Sequence, residues 1–160
     1  MTKPKKLSEA VVDSSAIMSI FDKRPSSEAF KAALKRCGKL YLSAGTLLEL
    51  SILLIGRKDV EGPPLLDSAL ARYKISIVPF DQQAVSVARQ GCLEYGKKRH
   101  KADLNYGDLF SYSLAKARGL PLYFEGLDFP ETDLDDAMKL LGYRFDEKHC
   151  PIPDQGPSMT

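Results

Sequence analysis

The stretch SEAVVDSSAIMSIF, residues 8–21, decides the fold of this chain. Its apolar run AVV predicts a short strand, and the segment SSAIMSIFDK directly behind it predicts a helix. Asp13 stands at the junction, where an acid usually caps the helix that follows. Ser14 can take that cap instead, which would leave Asp13 free for another role. The junction therefore predicts either a helix cap or a functional acid at the end of the first strand.

The composition around this stretch indicates a single soluble domain. The chain has 160 residues, and its hydrophobic content of 44% is enough for one packed core. Lysine and arginine number 23 against 21 acids, so the net charge of +2 gives no overall preference for a polyanion. The three cysteines (Cys37, Cys92 and Cys150) are an odd number without CxxC spacing, which argues against disulfides and a zinc site. Because no apolar run suits a signal peptide or a membrane span, we expect a cytoplasmic protein.

Strands and helices alternate along the rest of the chain. Further strands are predicted over 39–44, 74–80 and 120–126, with an edge strand over 143–145. Helices are predicted over 26–38, 44–57, 65–73, 81–96, 108–120 and 132–142, with Ser43 and Asp81 as caps and a chain break at residues 62–64. This alternation predicts an α/β fold with a mostly parallel sheet covered on both faces. In such sheets, ligands bind beyond the carboxyl ends of the strands.

Three more acids have two interpretations each, one structural and one functional. Glu49 is the only charged residue between residues 40 and 55. An unpaired buried acid is costly, so its carboxylate is expected to border a cleft, to be compensated by a cation or to lie on the solvent-exposed side of its helix. Asp108 lies where the last long helix begins, a common place for an ordinary cap or first-turn acid. Asp128 follows the last long strand, where a turn aspartate is the default.

Taken together, the four acids predict a metal site. Three of them stand at strand-end or strand-to-helix turns and the fourth lies on a helix that follows a strand, so the topology can gather them at one edge of the sheet. Neighbouring carboxylates repel one another, and hard divalent ions that prefer oxygen ligands, Mg²⁺ or Mn²⁺, relieve that repulsion. A site of this kind can activate water for phosphodiester hydrolysis without a protein nucleophile.

Three segments carry a resemblance to a known family. VVDSSAIMSI, LSAGTLLELSILL and GKKRHKADLNYGDLFSYSLAKARGLPLYFEGLDFPETD resemble, in this order, the motifs of the PIN-domain ribonucleases. The likeness is closest to the VapC toxins of bacterial type II toxin–antitoxin pairs. It implies an α/β/α sandwich around a mostly parallel sheet, with the PIN-like nuclease domain at residues 9–146. The composition of residues 147–160 predicts a disordered C-terminal tail.

The resemblance also implies an activity and a site. It implies a metal-dependent endoribonuclease toxin that cleaves RNA of the tRNA or rRNA class, inhibited by a small VapB-like antitoxin that blocks the acidic pocket, and it suggests a homodimer. The catalytic metal ligands for Mg²⁺ or Mn²⁺ carry over to Asp13, Glu49, Asp108 and Asp128. Ser15 matches the hydroxyl residue that supports the first acid.

A basic loop precedes Asp108 by seven residues. Its cationic side chains are Lys97, Lys98, Arg99, His100 and Lys101. Such a run is either a solvated loop or, beside a phosphodiesterase site, the strip that holds RNA phosphates. His100 is a poor general base where activated water supplies the nucleophile. Tyr95 and Tyr106 border the loop and either stack bases or belong to the core.

The main alternative is a non-catalytic RNA- or protein-binding module with the same fold, whose acids hold a structural ion or nothing. The intact set of four acids argues against it. A haloacid-dehalogenase phosphatase would need a second aspartate where this chain has Ser15, and P-loop and dinucleotide glycine motifs are absent.

Overall fold

Four parallel strands form the central sheet of this computed structural model, which describes residues 5–152. They are β1 (Leu7–Val12), β2 (Cys37–Ser43), β3 (Ile75–Val78) and β4 (Leu122–Tyr123), in the order β3-β2-β1-β4. Val11 of β1 pairs with Tyr41 of β2 on one side and with Leu122 of β4 on the other. The predicted parallel sheet is confirmed.

Helices connect and cover the strands, as the alternating pattern predicts. They are α1 (Ser14–Phe21), α2 (Ser27–Leu34), α3 (Ala44–Lys58), α4 (Gly62–Arg72), α5 (Gln82–Tyr95), α6 (Tyr106–Arg118) and α7 (Ala137–Leu140). Short 3₁₀ turns lie at Asp59–Glu61 and Phe129–Glu131. Between residues 5 and 152, no helix combines the length and the apolar character that a membrane crossing requires.

The sheet separates two apolar layers because successive side chains of a strand point to opposite faces. On β1, Ala10 and Val12 belong to one layer and Val11 to the other. The first layer is formed by α1–α4 and α7, and its fully buried side chains include Phe30, which is worth about 2–3 kcal/mol of hydrophobic stabilisation. The second layer is formed by α6 and the segments on either side of it. The result is the predicted α/β/α sandwich.

Side-chain caps set the start of two helices where the sequence predicts them. The Ser43 hydroxyl accepts a hydrogen bond from Gly45 N at 3.2 Å and so begins α3. The Asp81 carboxylate accepts one from Ala84 N at 2.9 Å and begins α5. Each satisfies a backbone N–H that has no acceptor inside its own helix, a contribution of about 1 kcal/mol.

Three local predictions are wrong. Residues 62–64 do not break the chain, because they form the first turn of α4, where a proline lacks only an N–H that would have no helical acceptor. The predicted edge strand at 143–145 is reduced to an isolated bridge between Phe145 and Pro151. The predicted helix 132–142 shortens to α7 because Asp136 caps it by accepting a hydrogen bond from Lys139 N.

The segment after residue 146 packs on the domain as far as it is described. The His149 ring stacks on Phe145 at 4.0 Å and on Phe124 at 5.6 Å between ring centroids. Its Nε2 atom lies 2.6 Å from the Asp136 carboxylate. The folded part therefore continues past the boundary predicted at 146. Residues 153–160 of the predicted disordered tail lie outside the described residues.

Candidate active site

The candidate site lies at the carboxyl ends of β1 and β4. The sheet order reverses there, because β2 and β3 lie on one side of β1 and β4 lies on the other. Crevices at such reversals are the usual ligand sites of open α/β sheets. Asp13 directly follows β1, and its backbone N–H donates to the Tyr123 carbonyl of β4 at 2.9 Å. Asp128 follows β4 after a short turn. Two of the predicted site acids therefore stand at this reversal.

Asp13 is buried, with 2% of its surface exposed, and both of its carboxylate oxygens are hydrogen-bonded. Oδ2 accepts from the Ser15 hydroxyl at 2.6 Å and from Ser15 N at 3.1 Å. Oδ1 accepts from the Ser111 hydroxyl at 2.5 Å. The Ser15 hydroxyl in turn accepts from Glu125 N at 3.0 Å, which ties the end of β4 to the same group.

The prediction that Ser14 caps α1 is wrong. Asp13 is itself the N-cap, because its backbone is extended (φ −86°, ψ 158°) and its side chain reaches the N–H of the second helical residue. Ser14 already belongs to the helix, and its side chain lowers the pKa of Glu49, which partly offsets the effect of burial. Asp13 thus serves as a cap through Oδ2, and the structural and functional interpretations of this acid do not exclude each other.

Glu49 projects from α3 into the same region. Its Oε1 atom is buried and has no hydrogen-bond partner among the described residues. A cleft of about 260 Å³ borders the carboxylate and is also lined by Leu48, Ile52 and Tyr106. Burial, and to a lesser degree the charge of Asp13, raise the pKa of Glu49. The cleft is the setting that the sequence requires for an acid in an apolar helix.

Gly107 makes room for this carboxylate. A Cβ atom at position 107 would lie 1.9 Å from Glu49 Oε2, far inside van der Waals contact. Any residue other than glycine would therefore displace the carboxylate. Two neighbouring residues therefore contribute to the site, because Gly107 leaves space for Glu49 and Asp108 is one of the four predicted acids.

Asp108 and Asp128 form a second pair of acids. Asp108 belongs to a capping box at the start of α6, in which it accepts from Asn105 N and donates its own N–H to the Asn105 side chain, both at 3.0 Å. Burial first, and then the charge of Asp13, raise the pKa of Asp108 to about 7. Burial also raises the pKa of Asp128, and the negative charge of Asp128 adds to the rise in the pKa of Asp108. Asn105 is the N-cap of α6, and Asp108 is therefore the first-turn acid that completes the capping box as well as a candidate site acid.

The donor set fits a hard divalent cation. All four acids offer oxygen donors, the mutual pKa effects place Asp13 within electrostatic reach of the other three, and one buried Glu49 oxygen lacks a partner. Within residues 5–152, no three His, Cys, Asp or Glu side chains stand in a ready-made ligand arrangement. The charge of Asp13 raises the pKa of each of the other three acids, so Asp13 is the member that links the group.

The basic loop is folded against the domain beside these acids. Lys97 N donates to the Leu104 carbonyl at 3.1 Å, and Leu104 itself is buried. Lys97, Lys98 and Arg99 are exposed, whereas Lys101 pairs with Glu131 at 2.8 Å. Glu131 lies three residues after Asp128, so the loop borders the acid cluster as expected.

The ring residues of the loop have separate roles. His100 Nδ1 accepts a hydrogen bond from Ala102 N at 3.0 Å, and its ring meets Tyr95 edge to face at 5.0 Å. His100 therefore holds the loop together, consistent with its rejection as a general base. Tyr95 packs against the second apolar layer. Tyr106 is 80% exposed beside the Glu49 cleft, so of the two tyrosines only it presents its ring to solvent.

Sequence reasoning missed two groups that support the acids. Ser111 bonds Asp13 and lies three residues after Asp108, on the same face of α6. That spacing is a signal that could have identified it. Gly107 has no such signal, because nothing in the sequence shows that the Glu49 carboxylate packs on it.

The stability of the ion-free protein tests the electrostatics of Asp108. Its pKa is 3.8 in the reference state and about 7 when folded, so the folded protein binds this proton more tightly than the unfolded chain. Its contribution to stability is therefore present below about pH 4 and is lost as the pH rises to about 7.

We expect Asp108→Asn, which does not titrate, to become progressively more stable relative to the wild type across this interval. Urea unfolding of both proteins in EDTA from pH 4 to 8 measures the difference. A difference that is the same at every pH would show that Asp108 is not under the repulsion described above.

Known proteins resemble this chain over most of its length. The model of the PIN domain family matches residues 10–134. A VapC ribonuclease of Mycobacterium bovis is 38% identical over 124 residues, which cover 78% of this chain and 95% of that protein. A ribonuclease VapC of Mycolicibacterium smegmatis is also 38% identical, with 78% and 96% covered.

Solved structures show the same fold at lower identity. The Mycobacterium tuberculosis VapC20, described as a sarcin–ricin loop cleaving toxin, has a TM-score of 0.63 and 15% identity, with 78% of this chain and 95% of that chain covered. The VapBC2 complex of Rickettsia felis, bound to a promoter DNA fragment, has a TM-score of 0.62 and 19% identity, with 79% and 96% covered.

Proposed function

This chain belongs to the PIN-domain family and, within it, to the VapC ribonucleases, and from this premise we propose that it is a metal-dependent endoribonuclease. Mg²⁺, or Mn²⁺ in its place, is held by Asp13, Glu49, Asp108 and Asp128. The observation that supports the metal dependence is the buried Oε1 atom of Glu49, which has no hydrogen-bond partner within residues 5–152 and lies in a group of mutually repelling acids. An uncompensated oxygen of this kind is costly unless a cation completes its coordination.

Each acid has a distinct task in this proposal. A bound divalent ion supplies an activated water and neutralises charge on the phosphate. Asp13 is the fixed point, because hydroxyl groups hold both of its oxygens. Glu49 keeps its place because Gly107 leaves space for the carboxylate. Burial raises the pKa of Asp108 and of Asp128, so protons compete with the cation for these two carboxylates.

The substrate and partner follow from family membership. We propose RNA of the tRNA or rRNA class as substrate, and a sarcin–ricin loop oligonucleotide is a reasonable first choice. We also propose a small VapB-like antitoxin as the inhibitory partner. The apolar surface beside Glu49 suits a protein partner, because Leu48 and Ile52 are 62% and 61% exposed. The homodimer stays a prediction.

Cleavage of a fluorogenic RNA by the purified chain tests the activity. We expect cutting with Mg²⁺ or Mn²⁺ and none in EDTA. The alternative, a non-catalytic binding module, predicts that the RNA is bound at equal strength but stays intact under all three conditions. Sequencing of the 5′ ends of cellular RNA after brief expression would then identify the substrate.

Neutralising the basic loop is expected to weaken RNA binding and reduce its salt dependence. The triple variant Lys97→Gln, Lys98→Gln, Arg99→Gln removes three exposed cations beside the acids. If each neutralises one phosphate, the slope of log affinity against log salt should fall by about 2, at roughly 0.7 per phosphate of single-stranded RNA. Fluorescence anisotropy at several salt concentrations, with EDTA to prevent cleavage, measures this slope.

A matched control is available on the opposite edge of the sheet. Lys35, Arg72 and Lys74 are exposed and lie before β2 and β3, at the amino ends of the strands. Replacing these three with glutamine changes the net charge by the same amount. An equal loss of affinity in both triple variants would show that only net charge matters and would remove the loop from the binding surface.

A further inference from the structure

A chain of buried hydroxyl groups ends at Asp13. Ser111 and Thr46 have no exposed surface, and their oxygens lie 3.4 Å apart. The Ser111 hydroxyl lies 2.5 Å from Asp13 Oδ1 and donates to it, because a carboxylate oxygen can only accept. A hydroxyl has one proton, so Thr46 is then the donor toward Ser111. The chain therefore runs from α3 through α6 to the end of β1.

This arrangement fixes Asp13 from several directions. Ser111 of α6 holds Oδ1 and is itself bonded to Thr46 of α3, and Ser15 of α1 holds Oδ2. The carboxylate therefore cannot rotate without breaking a buried hydrogen bond, which costs about 1–3 kcal/mol when the remaining group is left unsatisfied. Neither of the helices that carry Ser111 and Thr46 needs these hydroxyls for its own backbone bonds.

We propose that Ser111 is a positioning residue, which fixes the orientation of the Asp13 carboxylate, and that Thr46 fixes Ser111 in turn. Ser111 acts through Asp13 and does not touch the substrate. The inference rests on the proposed function, since it concerns the metal ligand that this function assigns to Asp13. This positioning role explains why α6 and α3 bury the hydroxyl groups of Ser111 and Thr46, which the four acids alone do not explain.

The test compares two serines of the same helix. Ser113 is as buried as Ser111, but its hydroxyl donates to the Phe110 carbonyl of its own helix at 3.1 Å. We expect Ser111→Ala to weaken Mn²⁺ binding about tenfold, the lower end of the effect of groups that orient metal ligands. Ser113→Ala should leave Mn²⁺ binding unchanged. Electron paramagnetic resonance of free Mn²⁺ measures the affinity, and thermal unfolding in EDTA measures stability separately.

Two more variants keep the test decisive. Ser111→Thr retains a hydroxyl and should recover Mn²⁺ affinity relative to Ser111→Ala. Thr46→Val removes the second donor without changing the shape of the side chain, so it should weaken Mn²⁺ binding by less than Ser111→Ala does. If Ser111→Ala does not fold, Thr46→Val alone tests the proposal. Unchanged Mn²⁺ affinity in Thr46→Val would then overturn it.

The outcomes separate this inference from the function on which it rests. If the wild type binds no Mn²⁺, the proposed metal-dependent function fails. If the wild type binds Mn²⁺ and a folded Ser111→Ala binds it equally well, only the role of Ser111 fails. Equal weakening by Ser111→Ala and Ser113→Ala would assign both effects to general loss of packing and would also overturn the role of Ser111.

Discussion

Asp108→Asn is expected to lower the rate of RNA cleavage at least about hundredfold while the protein stays folded. Asparagine retains an oxygen that can accept the hydrogen bond from Asn105 N, so the capping box at the start of α6 is preserved. What is lost is a negative charge at the centre of the acid cluster. Initial rates on a fluorogenic RNA under saturating Mg²⁺, with circular dichroism to confirm folding, measure the two effects.

The control for this variant is an acid far from the cluster. Asp67 is exposed on α4, so Asp67→Asn removes the same charge from the surface. We expect it to cut RNA at the rate of the wild type. If Asp108→Asn cuts as fast as Asp67→Asn, the activity does not depend on the acid cluster, and a contaminating nuclease or another site is responsible.

Gly107→Ala is expected to reduce Mn²⁺ affinity and cleavage by about ten- to a hundredfold with little change in stability. The added methyl group would lie 1.9 Å from Glu49 Oε2, and the carboxylate lies at the end of a flexible side chain that can turn away. The backbone of α6 does not have to move. The substitution therefore displaces a metal ligand without removing any acid from the chain.

Two further variants make the result specific. Gly56→Ala places the same methyl group in helix α3 where no atom lies within 4 Å, so it should leave cleavage unchanged and raise stability by about 0.5–1 kcal/mol. Glu49→Gln should match Gly107→Ala in its loss of Mn²⁺ affinity. If Gly107→Ala retains full Mn²⁺ affinity while Glu49→Gln loses it, the carboxylate finds its position despite the methyl group, and the close approach is not required.

The predicted order of strands and helices was correct because it depends on local signals. The run AVV, the caps Ser43 and Asp81, and the polar loop before α6 each act within a few residues. Family membership was also predictable, since the motifs are contiguous in sequence. The errors concern residue types whose effect depends on their position within a helix. The prolines at 63 and 64 interrupt a helix in its interior but are tolerated in the first turn of α4.

The dual roles of the acids were beyond local reasoning. A cap and a ligand require the same residue types at the same junctions, so the sequence leaves the two interpretations of Asp13 and Asp108 in competition. The structure shows that Asp13 caps α1 and that Asp108 completes the capping box of α6, while the charge of Asp13 also acts on Asp108. In Asp13, one carboxylate oxygen serves the helix backbone and the other accepts from Ser111.

The sequence alone determined the α/β/α architecture and predicted the four candidate acids, because periodicity and motif order can be read along the chain. The tertiary structure decided that Gly107 leaves space for Glu49 and that Ser111 holds Asp13 across a separation of 98 residues. These features depend on how α3 and α6 pack against the end of β1. Contacts between segments distant in sequence form only when the whole chain packs, so a short stretch of sequence does not predict them.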